Sequence, residues 1–309
     1  MAENSKIEWT EATWNPIAGC SVASPGCKNC YAMTSVAPRL AANPKTPHYH
    51  GTVEKTAKGK YVWTGKIGVA GEDKLMQPLR WKKPRMIFVN STSDLFHPNV
   101  PENVIDRIFA VMALCPQHTF QVLTKHPERM RDYSLRKNPN GHHPAMDYAA
   151  LMAATGSWNT PAVDLFCWPL PNVWLGVSIE DQPRADERIP HLLGTPAAKR
   201  FVSCEPLLGP VDLSELTRLD GTHVYSCLPP VDVNQQDDEW NGATVDWVIC
   251  GGESGAGARP MHPDWARSIR DQCVAADVPF FMKQMGGKRK PFEPIPDDLM
   301  IREFPNAPR

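Results

Sequence analysis

Short apolar runs recur along the chain, each followed by a polar turn and then by a stretch with helical spacing. The runs are residues 86–90 (MIFVN), 120–124 (FQVLT), 173–179 (VWLGVSI), 200–204 (RFVSC), 247–250 (WVIC) and 280–283 (FFMK). β-Branched and aromatic residues dominate them, which predicts strands. Because they are almost continuously hydrophobic, both faces of each strand are expected to be buried, as in a parallel barrel or a doubly wound sheet. A seventh strand is expected near residues 13–18. Helices are expected at 31–42, at 264–276 and at 101–115, where Val104, Ile108, Val111 and Met112 recur at helical spacing behind a proline suited to a first turn. This alternation is the pattern of βα units and places the chain in the α/β class. At 309 residues it suits a single domain, 1–309. Residues 43–71 and 217–244 break the rhythm and are expected to be loop insertions on that frame.

Composition narrows the class. Apolar residues make up 42% and charged residues 22%, an ordinary balance for a chain with a full core. There is no run of about 18 apolar residues, and the N-terminus has neither the basic start nor the apolar centre of a secretory signal. A cytoplasmic protein without a membrane association is expected. In a reducing compartment nine cysteines, an odd number, read as thiols or metal ligands rather than disulfides. A net charge of −1 gives no broad nucleic-acid footprint, and the basic clusters at 80–85 (RWKKPR) and 288–290 (KRK) read as a solvated rim.

Polar residues gather just past the expected strand ends. They are Ser91, Thr92, Ser93 and Asp94; Lys125 in TKH; Ser178 and Glu180 in SIED; Cys204 and Glu205 in SCEP; Gly251, Gly252 and Glu253 in GGESG; and Lys283 with Gln284. A parallel barrel collects such ends on one face, where active sites lie, so their convergence argues for an enzyme. Singly, each is equally a turn or a helix cap. Lys283 and Gln284 suit a phosphate or carboxylate, or a surface ion pair.

Three cysteines, Cys20, Cys27 and Cys30, form C-x6-C-x2-C around a Ser24-Pro25-Gly26 turn. Three readings stand side by side. A structural zinc site needs a fourth ligand, for which His48 or His50 is available. The thiols can be unligated. An iron–sulfur cubane held by three thiolates leaves one iron open to substrate or cofactor.

The motif set WNPIAGC, SPGCKNCYA, DLFHP, GVSIED, SCEPLLGP, GGESGAGARPMHPDW and FMKQMGG, spread over residues 7–287, resembles a phage and mobile-element family within the radical S-adenosylmethionine enzymes, similar to spore photoproduct lyase. The resemblance implies a partial parallel (β/α)6-type TIM barrel with loop insertions. It implies a 4Fe-4S cluster on Cys20, Cys27 and Cys30, and S-adenosyl-L-methionine as cofactor, cleaved to a 5'-deoxyadenosyl radical that abstracts hydrogen from a substrate. Tyr31, Ser91, Thr92, Ser93, Asp94, Ser178, Glu180, Gly251, Gly252 and Glu253 are then candidate cofactor contacts, and Lys125, Lys283 and Gln284 candidate substrate contacts. Cys204, Cys250 and Glu205 are candidate catalytic residues, a mouth-end thiol being able to return a hydrogen atom; the competing role for these cysteines is core packing. Implied partners are an electron donor of flavodoxin or ferredoxin type, a three-Cys-motif partner protein, and a nucleic-acid base or modified nucleotide as substrate. The chain departs from the commonest superfamily pattern, C-x3-C-x2-C with an aromatic before the last cysteine. Here six residues separate the first two cysteines, Asn29 fills the aromatic place, and Tyr31 follows Cys30. The alternative is a zinc-stabilised, non-catalytic binding protein acting with a partner.

Overall fold

In a computed structural model, residues 5–155, 163–217, 221, 224–230, 242–288 and 292–305 are described. The chain forms two compact units. The first takes Met1–Val22, Cys30–Leu175 and Pro196–Ala198; the second takes Ala23–Asn29, Gly176–Thr195 and Lys199–Arg309.

In the first unit β1 (Ala12–Trp14) and β2 (Ile17–Ala18) precede a π-helical turn, Ala32–Val36, that runs into α1 (Ala37–Ala41). A regular helix was expected over 31–42. Pro38 near the start of α1 has no N–H to give a preceding turn, and the chain adopts the wider turn before it. The 43–71 insertion is ordered: β3 (Val53–Lys55) and β4 (Tyr61–Trp63) make an antiparallel hairpin, and β5 (Gly68–Val69) pairs antiparallel with β2. After α2 (Glu72–Leu75) come β6 (Met86–Val89), α3 (Glu102–Ala113), β7 (Thr119–Thr124), α4 (Pro127–Ser134), α5 (Pro144–Ala154) and β8 (Val173–Ser178), which runs on into the second unit. β6 lies between β1 and β7, parallel to both. Trp14, Ile87, Val89, Phe120 and Val122 are fully buried along these strands, while α3 turns Ile105, Ile108, Phe109 and Met112 inward. That burial, at about 25 cal/mol per Å2, drives the packing.

The second unit adds α6 (Gln182–Leu193), β9 (Lys199–Cys204), a short antiparallel pair of β10 (Leu216–Thr217) and β11 (Val224–Tyr225), β12 (Trp247–Gly251), α7 (Pro263–Ala275) and β13 (Phe280–Gln284). β12 lies between β9 and β13, parallel to both, and all five of its residues are buried. Asp181 caps α6 by accepting the Arg184 N–H at 3.1 Å, and His262 caps α7. Much of the 217–244 insertion lies outside the described residues; the part within them holds β10 and β11.

The strands β1, β6, β7, β8, β9, β12 and β13 are hydrogen-bonded in that order as one all-parallel sheet flanked by helices, an α/β fold. All six runs read from the sequence are strands, with ends shifted by a residue or so, and the seventh is split into β1 and β2. Among the described residues no helix is long and apolar enough to cross a membrane.

Candidate functional site

In the second unit, Pro25–Cys27 form a tight 3-10 turn in which the Cys27 N–H donates to Ser24 O at 2.9 Å. The turn leans on a buried carboxylate: the Gly26 N–H donates to Glu180 Oε1 at 3.0 Å. Glu180, two residues past β8, is completely buried and paired with Arg188 of α6 at 3.2 Å; Arg188 also donates to Ser178 O at 2.6 Å. A side chain at position 26 would meet that carboxylate, its Cβ lying 3.2 Å from the carboxyl carbon. A buried pair of this kind fixes geometry, and losing either member strands the other charge away from water.

The other end of the same loop is tied to Glu253. Asn29 Nδ2 donates to Glu253 Oε2 at 2.9 Å and to Gly257 O at 2.8 Å. Arg259 grips the same carboxylate in a fork, Nη2 to Oε1 at 2.6 Å and Nε to Oε2 at 2.9 Å, and its Nη2 reaches Pro25 O at 3.0 Å. The Arg259 N–H adds a fourth donor at 2.9 Å. Burial pushes the Glu253 carboxyl up, but the hydrogen bonds from Arg259 and Asn29 outweigh it and hold it below the usual range. The glycines before it have a packing reason. A Cβ on Gly252 would lie 1.8 Å from Met285 O, and one on Gly251 2.7 Å from Glu205 Oε1.

Beside this loop, Glu205 accepts Lys283 Nζ at 2.7 Å and the Ser203 hydroxyl at 3.4 Å, and the Ser178 hydroxyl donates to Glu205 O at 3.2 Å. Gln284 Nε2 donates to Gly252 O at 2.9 Å. Cys204 and Cys250 are register partners on β9 and β12, and both are fully buried. Burial pushes both thiols well up, so they keep their protons at neutral pH. A protonated S–H is the form that can donate a hydrogen atom, whereas a thiolate is the nucleophile and metal ligand.

In the first unit, Cys20 and Cys30 pack against one apolar cluster of Ala18, Ala32, Met33, Ala37, Tyr49 and Trp63. Tyr31, 45% exposed, donates its hydroxyl to Ser91 O at 2.8 Å. The Ser91 hydroxyl donates to Asn15 Oδ1, the Ser93 hydroxyl to Ile17 O, and Thr92 Oγ1 lies 2.6 Å from the Tyr49 hydroxyl. Asp94 is buried and accepts three donors: the Phe96 N–H at 2.9 Å, the Thr124 hydroxyl at 2.7 Å and the Lys125 N–H at 2.8 Å. It therefore links the ends of β6 and β7. His97 Nε2 lies 2.8 Å from the Ser21 hydroxyl, next to Cys20, and its ring is edge-on to His126. Burial and the neighbouring His126 lower its pKa.

None of the three motif cysteines is joined in a disulfide. Cys20 and Cys30 belong to the first unit and Cys27 to the second. Among the described residues no group of three or more His, Cys, Asp or Glu gathers as for a single metal ion, and His48 and His50 complete no such set. Cysteine sulfur without oxygen ligands is the donor type that an iron–sulfur cluster takes, and Cys20, Cys27 and Cys30 would supply it. Asn29, Arg259 and His97 were not singled out as site residues in the sequence. Asn29 and Arg259 act through partners more than 200 residues apart in the chain; His97 lies in the DLFHP motif, which offered a signal.

No curated protein and no solved structure matches the chain at a significant level. One family model matches residues 4–299, nearly the whole length. The chain belongs to the family described as "Protein of unknown function (DUF5131)".

Proposed function

We propose that this chain is a radical S-adenosylmethionine enzyme in which Cys20, Cys27 and Cys30 hold a 4Fe-4S cluster within a partial (β/α)6-type barrel. The observation that carries this reading is the double tie on the cysteine loop. Glu180 holds Gly26, and Glu253 holds Asn29, so the residues bracketing Cys27 are fixed by carboxylates at two strand ends. Hydrogen bonds that fix the neighbours of a cysteine are the kind of outer support that metal-ligating loops carry.

When bound, the cluster and S-adenosylmethionine supply one-electron cleavage of a sulfonium and abstraction of hydrogen from substrate. The chain's own residues do the rest. Tyr31, next to Cys30, is tied to the 91–94 loop through its hydrogen bond to Ser91 O in the first unit. Cys204 and Cys250, kept as neutral thiols by burial, are the candidate hydrogen-atom donors, and Glu205 with Lys283 and Gln284 orients polar groups at their strand ends. An electron donor of flavodoxin or ferredoxin type and a cytoplasmic location suit such chemistry, a three-Cys-motif partner protein fits beside it, and a nucleic-acid base or modified nucleotide is the substrate class suggested.

The test is anaerobic purification with iron, sulfide and zinc analysis, followed by incubation with dithionite and S-adenosylmethionine. About four irons and four sulfides per chain, lost in Cys20→Ala, Cys27→Ala and Cys30→Ala, together with 5'-deoxyadenosine, are expected. One zinc per chain without sulfide overturns the reading in favour of a zinc-stabilised binding protein.

A further inference from the structure

The insertion at 43–71 carries five lysines, Lys45, Lys55, Lys58, Lys60 and Lys66, against one carboxylate, Glu54, in a chain of net charge −1. Three of them crowd the tip of the β3–β4 hairpin: Lys55 ends β3, Lys58 lies in the turn, and Lys60 immediately precedes β4. All five are exposed. Among the described residues they enter no ion pair, whereas Lys199 and Lys283 are each held by a carboxylate. Like charges gathered on a two-stranded ribbon repel one another and return nothing to the fold. Tyr61, partly exposed, stands directly across the ladder from Lys55, which sets an aromatic ring beside the cationic tip.

The hairpin is seated on the cysteine motif. The Gly65 N–H, just after β4, donates to Cys20 O at 3.2 Å, and β5 pairs with β2 through Ala18 and Gly68. Gly19 is pressed against this segment at a φ of 92°, and a Cβ there would lie 2.0 Å from Lys66 O. Whatever binds the ribbon is therefore held by the same stretch of backbone that carries Cys20. Two strands about 4.8 Å apart form a ribbon of the width that the roughly 12 Å major groove of a DNA duplex admits. Lysines on such a ribbon reach the phosphates that flank the groove, the contacts that supply most non-specific affinity for a duplex.

We propose that the β3–β4 hairpin docks DNA, with Lys55, Lys58 and Lys60 on its phosphates. That the docked strand is also the substrate rests on the enzymatic reading above; the docking itself rests on the hairpin.

The experiment is fluorescence anisotropy of a labelled duplex of about 20 base pairs with the full chain as purified, across about 50 to 200 mM salt. Affinity falls with salt, and the Lys55→Glu/Lys58→Glu/Lys60→Glu variant binds at least about ten-fold more weakly with a slope shallower by about 2 to 3, near 0.9 per lost phosphate contact. Lys137→Glu, an equal charge change per site on an exposed lysine outside the insertion, leaves binding within about two-fold of wild type. Three results each overturn the proposal: no binding by wild type, a triple variant that binds like wild type, or displacement by polyglutamate as effective as by unlabelled duplex. Because the replaced side chains are solvent-exposed, the variant's circular dichroism and Tm should match wild type. Iron, sulfide and 5'-deoxyadenosine assays on the same preparations separate the two readings, since hairpin-dependent DNA binding without a cluster sinks the chemistry and leaves the docking.

Discussion

Asn29 Nδ2 donates to Glu253 Oε2 at 2.9 Å, so the residue that stands immediately before the third motif cysteine is held by the carboxylate of the GGESG turn. Glu253 is nearly buried, while its other partner Arg259 is about a quarter exposed. Glu253→Gln removes the charge and keeps the size. Solvent around Arg259 screens part of the loss, so a destabilisation of about 1–3 kcal/mol in urea unfolding is expected. Its dependence on pH identifies the cause. The folded-state pKa is depressed, so the contribution of the carboxylate is present at neutral pH and fades as pH falls below the ordinary Glu range, about 4.3. The gap between wild type and variant therefore narrows on acidification; a constant gap from pH 7 to about 3.5 would contradict this account.

Arg188→Met leaves Glu180 charged, buried and without its ion-pair partner. A loss of about 3–5 kcal/mol is expected, read as a lowered denaturant midpoint. Replacing both members, Glu180→Gln with Arg188→Met, recovers part of it. The double variant still retains a carboxamide oxygen to accept the Gly26 N–H, so the tie on the loop survives without the charge.

Gly252→Ala is expected to be damaging beyond any conformational-entropy effect, because the added carbon would collide with Met285 O at 1.8 Å. A cost of about 3 kcal/mol or more, or insoluble protein, is anticipated. Gly71→Ala meets nothing within 4 Å and is the matched control, with Tm close to wild type.

His143 stacks on Trp168 with ring centroids 3.6 Å apart, and burial pushes its pKa down to about 4 against the pull of the Tyr133 carbonyl and Asp147; Arg136 adds to the depression. The unfolded chain takes up this proton near 6.5 and the folded one only near 4. Its share of stability is thus complete above about 6.5 and declines by about 3 kcal/mol as pH drops to 4. Imidazole NMR shifts check it directly: the His143 resonance should stay flat from about pH 8 to 5.5, unlike an exposed histidine.

The strands were legible because each is a local run of apolar residues whose burial on both faces leaves no alternation to misread. Asp181 ends the SIED motif, but neither its service as a cap nor the helix α6 that it starts was read from the sequence. The π-helical turn at Ala32–Val36 was not visible, since its hydrogen bonds enclose only one residue more than those of an α-helix. The strand-end carboxylates stood out as a set, but their partners did not. Glu180 is 154 residues from Gly26 and Glu253 is 224 from Asn29, and no periodicity encodes which donor fills which lone pair across such spans. Asp94 illustrates the same limit: its acceptor capacity was evident, its three donors were not.

The seven-residue stretch Ala23–Asn29 belongs with chain that follows it by some 150 residues or more, and not with its immediate neighbours on either side. Cloning the C-terminal half alone, from Gly176 onward, would deprive Glu180 and Glu253 of the segment that satisfies them. Its N-terminal complement would carry that segment with nothing to grasp it. Fragment expression is thus a poor route to crystals or binding assays for this protein.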